Sequence, residues 1–159
     1  KVSDITVGGD TRHSSVMCGM SRLDVSDEKV LIHDGARPLV DADTVTAVAR
    51  ALKNYDAAVC LNKINDTVKS VDKNGMVAST VDRSCLYAAQ TPQGVDVKKY
   101  VKACREIKNA SEFTDDVSVM EVSGLTVKAI QSSIKNIKIT TPEDIIIAEA
   151  LLKGGNICE

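Results

Sequence analysis

The chain lacks a charge excess of either sign, since 20 Lys and Arg residues are balanced by 22 Asp and Glu residues among 159. This balance provides no overall positive field for nucleic acid or for an anionic membrane surface. The sequence also lacks any apolar run near the roughly 18 residues of a membrane-spanning helix. We therefore expect a cytoplasmic protein with neither nucleic acid nor membrane as a partner, in which local charges hold any phosphate ligand.

Metal-ligand spacing is also missing from the sequence. The five cysteines form no Cys-x-x-Cys pair, and the two histidines, His13 and His33, lie far apart. A zinc site needs several such ligands close together, so these features favour buried, reduced thiols instead. We expect His33 to shape the end of a strand rather than to catalyse.

The length suits one domain, which at this size buries roughly 70% of the surface that its unfolded chain exposes. Strand-like and helix-like segments alternate, which predicts an α/β fold with a mainly parallel sheet across residues 1–159. The predicted strands are 5–7, 30–33, 57–61, 126–130 and 137–140, and the predicted helices are 15–23, 43–54, 97–108, 115–123 and 142–153.

One segment interrupts this alternation. Residues 66–71 and 76–83 alternate in polarity and flank an Asn-Gly turn within 72–75, which predicts a β-hairpin. Each of its strands would be roughly 15 to 20 Å long at about 3.3 Å per residue. Because an isolated two-stranded hairpin is only marginally stable, segment 62–83 either folds onto its own domain or projects as an arm that grips a second subunit.

Residues 30–38 run from an apolar strand directly into an acid, two small residues and an arginine. Ligands of open parallel sheets collect beyond the carboxyl ends of strands, which would place Asp34 at the mouth of a crevice beside the small Gly35. A carboxylate there suits Mg²⁺, which usually shares its ligands with substrate phosphates. Spacing alone supports equally an Asp34 that caps a turn, with Arg37 as its surface partner.

Two basic residues could hold a phosphate. Lys138 lies in an apolar segment just before a helix for which Thr141 is the predicted N-cap, and a strand end beside a helix N-terminus is a natural anion site. The alternative for Lys138 is an edge-strand lysine that discourages aggregation. Arg83 follows the hairpin and could grip a phosphate through two donors, or form a surface ion pair with Asp82 or Asp66.

Residues 8–15 combine two glycines, an acid and several hydroxyls at the predicted start of a helix. Such a segment could cradle a ribose or a base, with Ser15 near the helix N-terminus. It matches neither of the common glycine-rich phosphate loops, so an ordinary strand-to-helix turn is the alternative. Further along, Thr114 is predicted to be the N-cap of a helix rather than a catalytic residue.

Taken together, these segments closely resemble the 2-C-methyl-D-erythritol 4-phosphate cytidylyltransferases over almost the whole chain. Seven motifs carry the resemblance, in the family's order. They are residues 8–16, 33–38, 66–69, 80–83, 90–93, 114–116 and 136–144.

The resemblance implies a Rossmann-like nucleotidyltransferase fold and a homodimer whose 62–83 arms interlock, each reaching toward the other subunit's active site. It implies transfer of CMP from CTP to 2-C-methyl-D-erythritol 4-phosphate (MEP), with release of pyrophosphate and with Mg²⁺ present, in non-mevalonate isoprenoid precursor biosynthesis. The alternatives are a ribitol 5-phosphate cytidylyltransferase and a dimerisation and nucleotide-binding fragment without catalysis.

The resemblance also implies roles for the nucleotide-side residues. Gly9, Asp10 and Ser15 would hold the cytidine, with Gly35 close to the nucleotide. Asp34 would serve the metal and the sugar region.

A second group of residues would bind or orient MEP. Thr67 and Arg83 would come from the partner's arm, with Arg37, Thr91 and Lys138 nearby. The residues expected to act in catalysis are Lys138, Arg83 and Asp34.

The chain departs from the family at its beginning. The family begins with a strand and a glycine-rich loop whose arginine and lysine embrace the CTP triphosphate, and no segment here corresponds to them. We therefore expect residues 1–159 to be the carboxyl-terminal portion of the domain and to be poorly active alone. A smaller departure is Val95, which stands where the family commonly has phenylalanine and which we expect to change packing rather than chemistry.

Overall fold

A computed structural model describes residues 2–24, 26–108 and 112–154, so that Cys158 lies outside the described residues. Helices and strands alternate at both ends of the chain order, but four strands, two of them a β-hairpin, follow one another between the second and third helices, and the third and fourth helices are consecutive. The helices are α1 (Arg12–Met20), α2 (Ala42–Ala51), α3 (Val97–Glu106), α4 (Ser118–Val122) and α5 (Pro142–Gly154). The strands are β1 (Lys29–Ile32), β2 (Ala57–Lys63), β3 (Val68–Val71), β4 (Val77–Val81), β5 (Tyr87–Asp96) and β6 (Val127–Gln131).

The main sheet has the strand order β1-β5-β2-β6. Strand β6 pairs parallel with β2, whereas β5 runs antiparallel to both of its neighbours. Three of these four strands therefore point the same way, and their carboxyl ends meet at one edge. The α/β prediction is confirmed, with a mixed sheet that contains parallel strands.

The central strand β5 was not among the predicted strands. It contains Thr91-Pro92-Gln93-Gly94, and proline and glycine usually weaken a strand interior. The pairing with β2 shifts between Val59 and Cys60, opposite this segment. Such an irregularity accommodates a proline that a regular ladder would exclude.

Two predicted strands are wrong. Residues 5–7 have no strand partner in the described chain, and Ile5 and Val7 are more than four-fifths exposed. Residues 137–140 form no strand either, although the Ile139 N–H donates to the Ala36 carbonyl at 2.8 Å. Alternation of apolar residues is insufficient for a strand when the fold offers no neighbour to pair with.

The hairpin prediction is confirmed. Strands β3 and β4 pair antiparallel as a separate two-stranded sheet, and Gly75 in the turn adopts a φ of 81°. Val71, Met76 and Val77 are all more than half exposed. The hairpin thus presents apolar side chains to solvent within the described chain.

The core lies on both faces of the main sheet, because alternate residues of β2 point to opposite sides. One face packs Ala57 and Val59 with Met20, Val95, Tyr100, Ala103, Val117, Val119 and Met120, and the other packs Ala58 and Cys60 with Val48 and Leu52.

None of the described helices combines the length and apolar character needed to cross a membrane.

Asp56 ties β2 to β6 and provides a pH-dependent contribution to stability. Hydrogen bonds from Lys99 and from Thr126 lower the pKa of its carboxyl from 3.8 to about 2. A carboxyl whose pKa is lowered by folding stabilises the protein above its unfolded pKa, and this contribution is lost as the pH falls through its folded pKa. Asp56→Asn should therefore cost about 1 kcal/mol at pH 7.

The check is urea denaturation followed by circular dichroism at several pH values. The difference in free energy of unfolding between wild type and Asp56→Asn should shrink as the pH falls from about 4 toward 2. A difference that stays constant across this window would show that the Asp56 charge contributes nothing.

Candidate active site

Asp34 lies just beyond the carboxyl end of β1, at the edge where the parallel strands end. Its backbone N–H donates to the Thr91 hydroxyl oxygen on β5 at 3.0 Å, and its carbonyl accepts from the Arg37 N–H at 3.0 Å. The backbone thus turns at Asp34, but the Arg37 side chain is only 11% exposed and is not the surface partner that the turn interpretation predicted. The carboxylate, however, faces a cavity.

Three cationic side chains surround the Asp34 carboxylate. The Lys138 ammonium lies 3.0 Å from Oδ2, Arg37 Nε lies 3.6 Å from Oδ2, and Arg12 Nη2 lies 3.6 Å from Oδ1. Burial alone would raise the pKa of Asp34, but these cations outweigh it and hold the pKa below its usual value. Asp34 is therefore ionised at neutral pH and surrounded by positive charge.

The cavity beside Asp34 has a volume of about 210 Å³. A larger groove of about 640 Å³ lies between α1 and α3, but none of the residues that line it belongs to the seven motifs. We assign the candidate site to the smaller cavity because motif residues form most of its wall. Its lining residues are Arg12, Asp34, Arg37, Ala89, Gln90, Thr91, Gln93, Thr114, Asp115 and Lys138.

The loop that carries Lys138 is fastened by Asn136, which is fully buried. The Asn136 amide nitrogen donates to the Thr91 carbonyl at 2.8 Å and to Gln90 Oε1 at 3.2 Å. In return, Arg37 Nη1 donates to the Asn136 carbonyl at 2.8 Å. These bonds hold Lys138 against the Asp34 loop rather than on the edge of a sheet.

His33 braces the turn from its other side. Its Nε2 lies 3.0 Å from the Arg37 carbonyl oxygen, and its Nδ1 lies 3.0 Å from the Thr91 hydroxyl. Because a carbonyl only accepts, Nε2 must carry the proton of the neutral ring. This arrangement fits the strand-end role predicted for His33.

Residues 8–15 form the entry to α1, which begins at Arg12 instead of the predicted residue 15. Thr11 is the N-cap, and the Ser15 hydroxyl accepts from the Gly9 N–H at 3.1 Å. Of this segment only Arg12 lines the cavity, whereas Gly9 and Asp10 are exposed. Gly35 is likewise exposed beside Asp34 and does not line the cavity.

Thr67 and Arg83, in the predicted arm, do not line the cavity of their own chain. Both are exposed. Across the described ranges, Arg83 forms no salt bridge with Asp82 or Asp66. Asp82 accepts instead from the Ser84 N–H at 2.9 Å.

One of the two predicted threonine caps differs in the structure. Helix α4 begins at Ser118 rather than residue 115, and Asp115, not Thr114, accepts from the Ser118 N–H at 3.1 Å. At α5 the Asp144 carboxylate accepts from the Thr141 N–H at 2.9 Å. At α4 the carboxylate takes the place of the predicted threonine, because a charged acceptor forms the stronger hydrogen bond. Helix α5 begins at Pro142 as predicted, so Thr141 keeps the N-cap position and Asp144 satisfies the backbone N–H of that cap residue.

Sequence reasoning missed several residues that build the site. Arg12, Gln93 and Asp115 line the cavity, and Asp116 is buried behind it with its carboxylate paired to Arg12. Each lies inside a motif, so the motifs marked the segments. Only folding shows that Arg12 and Asp116, 104 residues apart, form one pair.

The family model described as IspD, 2-C-methyl-D-erythritol 4-phosphate cytidylyltransferase, matches residues 1–154. A curated protein of that name from Prochlorococcus marinus subsp. pastoris is 46% identical over 147 residues, which cover 92% of this chain and 66% of the relative. A second, from Nostoc punctiforme, is 40% identical over 96% of this chain and 67% of the relative.

Solved structures agree with the sequence relatives. The 4-diphosphocytidyl-2C-methyl-D-erythritol synthase of Anaerococcus prevotii superposes with a TM-score of 0.82 at 38% identity, covering 92% of this chain and 68% of that one. The 2-C-methyl-D-erythritol 4-phosphate cytidylyltransferase of Thermus thermophilus gives a TM-score of 0.81 at 31% identity, covering 92% of this chain and 71% of that one.

The mixed α/β sheet with a cationic cavity at its strand ends is a nucleotidyltransferase fold. The chain belongs to the 2-C-methyl-D-erythritol 4-phosphate cytidylyltransferase family. It spans about two thirds of the length of the curated relatives that it matches.

Proposed function

We propose that the chain takes part in the transfer of CMP from CTP to MEP with release of pyrophosphate, a step in isoprenoid precursor biosynthesis by the non-mevalonate route. The observation that carries the proposal is the convergence of Lys138, Arg37 and Arg12 on Asp34 inside the cavity. Both substrates are anionic, and a cluster of cations reduces the repulsion between them. The names of the relatives support the same reaction.

In this reaction a phosphate oxygen of MEP attacks the α-phosphorus of CTP. The new P–O bond forms as the bond to the β-phosphate oxygen breaks, and pyrophosphate leaves. Lys138 would stabilise the negative charge on the reacting phosphates, with Arg37 and Thr91 beside it to orient MEP. Positioning and charge stabilisation supply the catalysis, so that no covalent intermediate with the protein is needed.

We assign the cytidine to the entry of α1. Gly9, Asp10 and Ser15 lie together there, and the Ser15 hydroxyl fixes the Gly9 backbone. A Cβ on Gly9 would lie 2.6 Å from Ser14 Cβ, so a larger residue would displace this turn. Gly35, beside Asp34, would leave room for the nucleotide to approach.

Asp34 is the residue that would hold Mg²⁺. The described residues contain no cluster of three or more His, Cys, Asp or Glu side chains suited to a metal ion. Mg²⁺ commonly uses one or two carboxylates together with substrate phosphates, and the ionised, partly exposed Asp34 fits that pattern. When bound, the ion would neutralise charge on the CTP phosphates.

The arm, residues 62–83, would form the homodimer. The exposed apolar residues of the hairpin support this proposal, and so does the position of Thr67 and Arg83 away from their own cavity. A partner's arm would bring these two residues to the MEP phosphate. Since each arm would reach the other subunit, the interface would be symmetric.

Removal of the hairpin tests the dimer. Deleting residues 68–81 and joining the ends with a short glycine linker should convert a dimer into a monomer, because the proposed contact surface is lost. Sedimentation velocity on both proteins gives the answer, with Asp72→Asn, a substitution within the turn, as the control that should remain dimeric. A deletion variant that still sediments as a dimer would refute the proposal that the arm forms the dimer.

We propose a cytoplasmic location. The described cysteines Cys18, Cys60, Cys85 and Cys104 are free thiols, as expected in a reducing compartment.

A substrate comparison tests the proposed reaction. Pyrophosphate release should follow addition of CTP and Mg²⁺ with MEP, and not with ribitol 5-phosphate at the same concentration. Turnover of ribitol 5-phosphate but not of MEP would identify the chain as a ribitol 5-phosphate cytidylyltransferase. Binding of CTP without release of pyrophosphate in the presence of either acceptor would identify a nucleotide-binding fragment.

A further inference from the structure

An ion pair with a buried carboxylate lies behind Asp34, and the mechanism proposed above gives no role to this carboxylate. Arg12, the first residue of α1, donates from Nη1 and Nη2 to the two carboxylate oxygens of Asp116 at 2.8 and 2.6 Å. The Asp116 side chain is only 2% exposed. Two parallel bonds of this kind fix the plane of the guanidinium as well as its position.

Gln93, in the central strand β5, holds Asp116 in place. Its side-chain oxygen accepts from the backbone N–H groups of Asp116 at 2.8 Å and of Val117 at 3.1 Å. Its side-chain nitrogen lies 3.2 Å from Oδ2 of Asp115. Because Gln93 is 1% exposed, residues 115–117 are docked onto the middle of the sheet.

The same guanidinium faces Asp34. Arg12 Nη2 lies 3.6 Å from Asp34 Oδ1, while the Lys138 ammonium lies 3.0 Å from Oδ2. The two carboxylate oxygens are therefore approached by different cations. Asp116 already balances the charge of Arg12, so charge neutralisation alone does not require Arg12 to face Asp34.

We propose that Arg12, held by Asp116 and Gln93, is a positioning residue for Asp34. Its charge attracts one oxygen of Asp34 across 3.6 Å, so that the other remains turned toward Lys138 and the substrates. This inference rests on the function proposed for the cavity. Arg12 acts through Asp34 and requires no substrate contact of its own.

The kinetic test uses Arg12→Lys, which keeps the positive charge but cannot form two parallel hydrogen bonds. Its kcat for pyrophosphate release should fall by about 10- to 100-fold, as expected when a reacting group is slightly misplaced. The KM values for CTP and MEP should change little. Arg22→Lys, two residues beyond the other end of α1, is the matched control and should keep wild-type kinetics.

A spectroscopic measurement separates this inference from the proposed function. The ¹³C signal of the Asp34 carboxyl carbon, recorded on the full chain at pH 7, should move in Arg12→Lys and stay in place in Arg22→Lys. Asp116→Asn, which keeps the shape of Asp116 but loses its charge, should move the signal in the same way. It also serves as the second variant if Arg12→Lys does not fold.

The outcomes divide clearly. A shifted Asp34 signal in a protein whose wild type shows no turnover would support the positioning of Asp34 and refute the proposed function. An Asp34 signal that Arg12→Lys and Asp116→Asn leave unchanged would overturn the inference. So would a wild-type kcat in Arg12→Lys.

Discussion

Lys138→Met should lower kcat for pyrophosphate release by about 10²- to 10³-fold, the cost of removing one charge-stabilising donor from a transition state. Lys138 Nζ lies 3.0 Å from Asp34 in the cavity where the anionic substrates are proposed to meet. Methionine keeps much of the length of lysine and removes its charge together with its hydrogen-bond donors. The loss should therefore fall mainly on kcat.

Unfolding would not explain this loss. The Lys138 side chain is 45% exposed, and ion pairs with exposed partners contribute about 0 to 1 kcal/mol to stability. Thermal unfolding of Lys138→Met should thus stay close to that of wild type. Lys135→Met, which removes an exposed lysine three residues earlier and outside the cavity, should keep wild-type activity.

Steady-state kinetics with saturating CTP and MEP measures the effect. A kcat of Lys138→Met within about threefold of the wild-type kcat would show that the ammonium adds little to transition-state binding. An equal loss in Lys135→Met would show that the kinetic effect comes from the general positive field of the loop.

Arg83→Ala should raise the KM for MEP by about 10- to 100-fold, since a hydrogen bond to a charged group is worth about 1.5 to 3 kcal/mol. The KM for CTP should change little, because the nucleotide is assigned to the entry of α1. Arg83 is exposed and lines no part of its own cavity. Equal losses for both substrates would contradict the assignment of Arg83 to MEP.

A mixed dimer shows whether Arg83 acts in the other subunit. When Arg83→Ala and Lys138→Met chains associate at random, half of the dimers contain one of each. In these the Arg83→Ala subunit keeps its own Lys138 and receives Arg83 from the partner, which restores one complete site. At an MEP concentration well below the raised KM of Arg83→Ala, the mixture should recover about one quarter of the wild-type activity.

Recovery should be absent if Arg83 serves its own subunit. The mixed dimer would then contain two sites, each lacking one of the residues. The control is a mixture of Lys138→Met with Lys135→Met, in which one intact Lys138 site per mixed dimer is expected in either case.

Local features of the fold could be predicted from the sequence. The Asn-Gly turn marked the hairpin, and the start of α5 at Pro142 followed from its flanking residues. These signals depend on neighbours within a few positions, which the chain carries in any fold. The α/β class followed from the alternation of such local elements.

Non-local features could not be predicted in the same way. Strand β5 contains Pro92 and Gly94, and its central position depends on an irregular pairing with β2. The pairing of Arg12 with Asp116 joins positions 104 residues apart. No periodicity in the sequence records such contacts, although the motifs identified the segments that make them.

The candidate site was predicted in part. Asp34, Arg37, Thr91 and Lys138 were named from motifs and line one cavity. Gly9, Asp10, Ser15 and Gly35 do not line this cavity, and neither do Thr67 and Arg83. Under the proposed dimer, Thr67 and Arg83 would enter the site of a second subunit. The sequence of one chain does not show where a second subunit lies.

The most direct test of cytidylyl transfer by this chain follows oxygen atoms from MEP labelled with ¹⁸O in its phosphate group. The labelled MEP is incubated with CTP, Mg²⁺ and the chain, and both products are analysed by mass spectrometry. Attack by the MEP phosphate on the α-phosphorus of CTP should leave all of the label in 4-diphosphocytidyl-methylerythritol and none in pyrophosphate. Label in the pyrophosphate, or no cytidylylated product after prolonged incubation, would contradict cytidylyl transfer by this chain.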